Sequence, residues 1–204
     1  MAEFDVDIVL FDGFDELDAV GPYEVFDTAR TFGADLDVSL VTRADTARVT
    51  ASHGLLVEPH GMLDVETGPD LVLVPGGGWT SDDGGVRRVV DEGSLPEAVA
   101  ALADAGTTVA SVCTGAMVLA EAGLLDDRPA TTHAAAVDDL AATASDVHDD
   151  SGVRAVDDGD VLTAGGITAG IDLAIWIVER EFGTEVAESV ATELEHERRG
   201  TVVR

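Results

Sequence analysis

The sequence predicts an α/β sandwich, a mainly parallel sheet covered by helices on both faces. Three observations carry this prediction. Strand-like and helical stretches alternate along nearly the whole chain, the order that feeds a parallel sheet through helical crossovers. Runs such as DLVLV, residues 70–74, read as strands buried on both sides. That run ends in a glycine loop, and in such sheets ligands collect where strands hand over to loops at their carboxyl ends. The 204 residues suit one domain, 1–204, with enough apolar chain to bury a core without staples.

In chain order, VDIVLFDGF (residues 6–14) is a strand ending in Asp-Gly, and DELDAVGPYEVFDTARTFG (15–33) is a helix. Leu17, Val20, Val25 and Phe26 give that helix a broken apolar face, and Gly21-Pro22 is expected to interrupt it early. LDVSLVT (36–42) half-alternates as a strand. VTASHGLLVEPHGML (49–63) carries the Gly and Pro of a short strand pair or irregular connection. After the buried run at 70–74 comes GSLPEAVAALADAG (93–106), a helix with Ser94 as N-cap, Glu97 completing a capping box, and Gly106 just past the end. TTVASVC (107–113) is a strand, and TGAMVLAEAGLL after it has helical spacing ending near Gly123. HAAAVDDLAATAS (133–145) is expected to be helical, and VRAVDDGDVLTAGG (153–166) a hairpin turning at Asp158-Gly159. GIDLAIWIVEREFGTEVAESVATELE (170–195) is helical, broken near Gly183.

Composition narrows the setting. Forty-one Asp and Glu face eleven basic residues, every one an Arg, for a formal net charge of −30. Repulsion at that density opposes a compact state in dilute buffer, but about 1 M salt shortens the Debye length to roughly 3 Å. The chain is therefore expected to work in a salt-rich cytoplasm. A disordered acidic segment is disfavoured, because the acids are spread through patterned apolar stretches. Scattered Arg residues argue against nucleic-acid binding. The absence of a signal-like start or of an uncharged apolar run of about 18 residues argues against secretion and membrane spanning.

The single cysteine, Cys113, falls where the strand at 107–113 meets the next helix. A nucleophile on such an elbow is lifted into a cleft, with helix N–H groups aimed at it. A free thiol of pKa about 8.5 is mostly protonated at neutral pH, and a helix N-terminus that lowered it to about 5.5 would raise the thiolate fraction roughly thirtyfold. A buried, inert thiol is an equally good reading of the residues alone. No phosphate-loop Lys-Ser/Thr follows the glycines at 76–78. His53, His60, His148 and His196 show no ligand spacing with one another or with Cys113, so neither metal nor cofactor is called for.

ELDAVGPYEVF, DLVLVPGGG, ASVCTGAMVLAEAGLLDDRPATTH and TAGGITAGIDLAIWIVE together resemble the ThiJ/PfpI superfamily of class I glutamine amidotransferase-like proteins. The likeness runs from about residue 6 to 184, and is nearest to the isonitrile hydratase branch and the amidotransferase-like domain of AraC-type regulators. It implies a three-layer, flavodoxin-like sandwich and, by the superfamily's habit, a homodimer. It also implies a nucleophile at Cys113, a partner acid at Asp18, and oxyanion donors on the backbone of Gly77 and Thr114. The Thr114 hydroxyl is expected to touch substrate, and His133 to lie nearby. An ionised Asp18 would raise the thiol pKa, so the workable pair is thiolate with protonated acid, titrating together. From the residues alone, Asp18 could equally be a helix-start acid, the glycines a turn, and His133 a first-turn residue.

Two departures from the superfamily pattern matter. Thr114 stands where amidotransferase and protease-like members carry His, which disfavours a peptidase. Ala134 replaces the aromatic residue that follows TTH in many relatives. The expected activity is Cys113-dependent hydration of a small electrophile, an isonitrile foremost, giving an N-substituted formamide. The alternatives are glyoxalase or deglycase chemistry, and a stand-alone sensor of ligand or redox state. The stretch after EREFG is too short for the DNA-binding domain of the regulators.

Overall fold

The computed structural model describes residues 3–81, 84–143, 146–149 and 152–204. Its strands are β1 (Phe4–Leu10), β2 (Leu36–Thr42), the short β3 (Val49–Thr50), β4 (Leu56–Val57) and β5 (Gly61–Met62), then β6 (Leu71–Val74), β7 (Thr108–Val112), β8 (Pro129–Ala130), β9 (Asp146–Val147), β10 (Val153–Asp157), β11 (Val161–Ala164) and β12 (Thr201–Val203). Its helices are α1 (Glu16–Thr31), α2 (Gly85–Glu92), α3 (Ser94–Ala105), α4 (Ala116–Glu121), α5 (Val137–Ala141), α6 (Ala169–Phe182) and α7 (Thr184–Glu193). Eight strands form the main sheet in the order β12-β10-β11-β7-β6-β1-β2-β5. The pairings are parallel except β10 against β11, the expected hairpin. β3 and β4 make the expected short antiparallel pair.

Side chains on a strand alternate between faces, and the core divides accordingly. Val6, Ile8, Leu10, Leu71 and Leu73 pack into the cluster under α1, α6 and α7. Val9, Val72 and Val74 pack into the cluster under α2, α3 and α4. The result is three layers, as the buried strand runs predicted.

Four local expectations are corrected. α1 runs unbroken through Gly21-Pro22. Proline removes the bond to the Asp18 carbonyl, but tertiary contact holds the helix: the Pro22 ring packs toward Gly170, and a Cβ on Gly21 would lie 3.1 Å from Ile171. The apolar face of α1 is also narrower than expected, since Val25 and Phe26 are buried while Leu17 and Val20 are more than a third exposed. At α3, left-handed Gly93 is the cap and Ser94 is already helical, with no side-chain capping bond. Gly93 simultaneously ends α2, a helix the sequence reading omitted, and the two-way junction leaves no room for a capping box. The helix expected over 133–145 is a 3-10 turn, Ala134–Ala136, followed by the five-residue α5, while residues 144–145 lie outside the described residues. The breaks at Gly106, Gly123 and Gly183 fall where expected.

Candidate active site

Four loops meet at the carboxyl edge of the sheet: those after β1, β6, β7 and β11. The β7 loop contributes Cys113, the first residue of a 3-10 turn leading into α4. Its φ of 57° is a left-handed conformation that costs a non-glycine residue about 1 kcal/mol or more. The surroundings hold it there. The Cys113 N–H donates to the Gly165 carbonyl at 3.0 Å, and its own carbonyl accepts from the Thr132 hydroxyl at 2.8 Å. Two residues on, a Cβ on Gly115 would sit 2.2 Å from the Val74 carbonyl oxygen. The elbow can press against β6 only because residue 115 is glycine.

The β6 loop, Pro75–Gly78, lies across this elbow and is knitted to the loop after β1. Asp15 N–H donates to the Gly76 carbonyl, and Val86 N–H to the Gly77 carbonyl, both at 2.8 Å. Gly77 has φ 119°, and a Cβ on it would lie 2.5 Å from the Gly13 carbonyl oxygen. A Cβ on Gly76 would lie 2.8 Å from Cys113 Cβ, so these glycines permit a backbone approach as well as a turn.

Asp18, in the first turns of α1, is fully buried beside the thiol. Its Oδ2 accepts from Gly76 N–H at 3.0 Å, while Oδ1 has no aligned hydrogen-bond partner among the described residues. Burial, then the charge of Asp15, pushes the Asp18 carboxyl up to about 7. Burial, then the charge of Asp18, pushes the Cys113 thiol up to about 12, against the smaller opposing effect of N–H groups from Thr114 and Ile167. The helix N-terminus therefore does not lower this thiol, and the thiolate with protonated acid expected of the pair is reversed. The turn and α4 are too short to offset burial beside a carboxylate. The thiol is the weaker acid of the pair, so their shared proton rests on sulfur when Asp18 is ionised.

A cleft of about 170 Å3 opens over Cys113, walled by Trp79, Thr114, His133 and Ile167. Thr114 is buried, and its Oγ1 accepts from Gly77 N–H at 2.9 Å. The Gly77 donor expected to serve an oxyanion is thus already engaged. Among the described residues the Thr114 hydroxyl proton has no acceptor, which makes the hydroxyl a donor polarised from behind. His133 Nδ1 accepts from Ala135 N–H at 3.1 Å, which assigns the neutral ring's proton to Nε2. The ring lies over Gly166, where a Cβ would be 2.3 Å from His133 Cδ2.

The sequence reading named Cys113, Asp18, Thr114, Gly77 and His133, and the fold brings all five together. It missed Thr132 and Ile167, although both lie within the strings that carried the resemblance. It also missed that Asp15, Glu16 and His53 place three possible ligand atoms within 4.8 Å of one another at the cleft rim. His53 lies 37 residues from Glu16 in sequence, so spacing could not reveal it. Its Nδ1 is 2.7 Å from Glu16 Oε2, and the pair holds Glu16 down to about 2.

The sequence matches the DJ-1/PfpI family over residues 5–180. The chain belongs to that family. Isonitrile hydratase of Pseudomonas putida is 35% identical over 191 residues, 94% of this chain and 78% of that protein. The HTH-type transcriptional regulator CdhR of Pseudomonas aeruginosa is 32% identical over 183 residues, 90% of this chain but only 52% of the regulator. In fold, this DJ-1/PfpI chain superposes on a ThiJ/PfpI family protein from Pseudomonas syringae with a TM-score of 0.82 at 24% identity, covering 97% of this chain and 76% of that one. It superposes on Drosophila melanogaster DJ-1beta with a TM-score of 0.82 at 20% identity, covering 96% and 99%.

Proposed function

We infer that this protein is a cysteine-dependent hydratase for a small electrophile, with isonitrile hydration to an N-substituted formamide as its reaction. The observation that carries this reading is the buried Cys113–Asp18 pair at a strained elbow, opening on a small cleft beside the Thr114 hydroxyl. The likeness to isonitrile hydratase over 94% of the chain supports it. The thiol proton crosses to Asp18 as sulfur attacks the terminal carbon of R–N≡C. Asp18 then returns that proton to the same carbon, leaving the thioimidate R–N=CH–S–Cys113. Water adds to this carbon, its second proton passes to nitrogen, and the C–S bond breaks to release R–NH–CHO and the thiol. Thr114 O–H, backed by Gly77 N–H, donates to charge developing during addition and hydrolysis. His133 lines the same cleft, and in this reading its Nε2–H is a second donor.

Residues 1–204 act in this reading as one domain in a salt-rich cytoplasm. A homodimer, the habit of the superfamily, is part of this reading, with exposed Leu17, Val20, Leu55, Leu56 and Ile167 among the apolar side chains a second copy could cover. The test is formamide production from a small alkyl isonitrile in molar potassium chloride. Wild type is expected to turn over and folded Cys113→Ala is not; equal turnover by the variant sinks the reading. A second reading, a stand-alone sensor, is favoured by the likeness to CdhR. Saturable binding of the isonitrile with no product by mass spectrometry would select it.

A further inference from the structure

Acidic residues outnumber basic ones 41 to 11, yet three of the eleven Arg line one concavity. It measures about 220 Å3 and lies at the carboxyl edge of β1 and β2, sharing no lining residue with the Cys113 cleft. Its floor is apolar, built from Val9, Leu10, Val49 and Leu95. Around it stand Arg43, Arg48 and Arg88, with Asp12 and Glu92 as the lining carboxylates.

The three cations are not consumed by ion pairing. Among the described residues neither Arg43 nor Arg48 has a carboxylate oxygen within 4.0 Å, and only Arg88 has one, Glu92 at 3.6 Å. Asp12 spends Oδ1 on Thr50 N–H at 2.8 Å. Backbone carbonyls hold two of the guanidinium groups in place: Arg88 Nη2 donates to Asp12 O at 2.9 Å, and Arg43 Nε to Ser94 O at 3.4 Å. Each guanidinium has five N–H donors, so most remain for a ligand. Ser94 and Leu95, which also line the concavity, open α3, whose N-terminus has no side-chain cap. Over a surface this acidic, unpaired cations have no shortage of carboxylates to meet, yet these two are kept apart from them over an apolar floor.

We propose that this concavity binds a small organic oxyanion, a phosphate ester or carboxylate, with its head group on Arg43, Arg48 and Arg88 and its apolar body on the valine and leucine floor. The ligand is small because the space is below the usual range for drug-sized molecules, roughly 300–1,000 Å3. Recognition survives molar salt because it rests on contact hydrogen bonds from guanidinium groups, not on long-range field. The proposal does not depend on the reaction at Cys113.

Calorimetric titration of the full chain in molar potassium chloride with phenyl phosphate, benzoate, inorganic phosphate and phenol tests it. One-to-one saturable binding of phenyl phosphate or benzoate, tighter than inorganic phosphate and phenol, is expected, and the tighter of the two names the head group. Arg48→Gln breaks no side-chain bond among the described residues, and should weaken that binding about tenfold or more, the worth of one charge-assisted hydrogen bond. Arg43→Gln should do the same, while Cys113→Ser leaves it unchanged. No saturation with either aromatic anion, equal binding of phenol, undiminished binding by both Arg variants, or loss of binding in Cys113→Ser would overturn the proposal.

Discussion

Replacing Asp18 with asparagine keeps the side chain's shape and its acceptor for Gly76 N–H while removing a charge buried at zero exposure. Asp18 is pushed from its ordinary 3.8 to about 7, so the native state binds more protons than the unfolded chain between those values. Stability therefore falls as pH rises through that window, and above about 7 the full penalty is present. A shift of about three units corresponds to roughly 4 kcal/mol, an upper figure because the carboxylate shares a proton with Cys113. Denaturant unfolding of wild type and Asp18→Asn in molar salt, from pH 5 to 8.5, reads this directly. Asp7, also pushed up by burial and neighbouring acids to about 6, contributes equally to both proteins and cancels in the difference. Between pH 5 and 8.5 Asp18→Asn should gain on wild type by up to about 3 kcal/mol, the part of the penalty that develops from pH 5 to about 7, with the difference levelling above about 7. A difference independent of pH, or a variant losing ground as pH rises, would refute the buried-charge account.

In the proposed reaction the same pair should set the pH dependence of turnover. Below about 7 Asp18 takes up its own proton and cannot accept the thiol's, so kcat/KM should rise as pH is raised through about 7. Thr114→Val deprives Gly77 N–H of its acceptor and the cleft of its donor, and should lower kcat by about 100-fold, whereas Thr114→Ser keeps most activity in steady-state assays. Gly115→Ala drives a methyl against the Val74 carbonyl and should destabilise by about 2 kcal/mol or more in denaturant unfolding. Gly61→Ala, whose Cβ meets nothing within 4 Å among the described residues, serves as the near-neutral control. Thermal midpoints should climb from dilute buffer to molar potassium chloride, about 2–4 °C for each kcal/mol of self-repulsion screened.

The layered fold was legible because its strands are local statements: LDVSLVT forms β2 over the same seven residues, and DLVLV alternates its side chains between two cores. Where tertiary packing overrides local preference, the reading failed. Proline 22 stays within α1 because α6 closes on it, and Ser94 loses its cap role because Gly93 ends one helix and starts the next. The site residues were legible as motifs, but their electrostatics were not. A thiol before a helix suggests a lowered pKa, and only burial beside Asp18 reverses the sign. The engaged Gly77 N–H and the Asp15–Glu16–His53 cluster likewise depend on contacts across dozens of residues. The arginine concavity draws on loops from 43–48 and 88–95, which no spacing rule connects.

The proposed reaction stands or falls on attack by Cys113 on the isonitrile carbon. Intact-mass measurement of protein quenched during turnover of a small alkyl isonitrile reads that step. A wild-type species heavier by one isonitrile is expected, mapping to Cys113, decaying as formamide accumulates, and absent from Cys113→Ala. Formamide production by Cys113→Ala, or an adduct that maps elsewhere on a chain that still turns over, would contradict it.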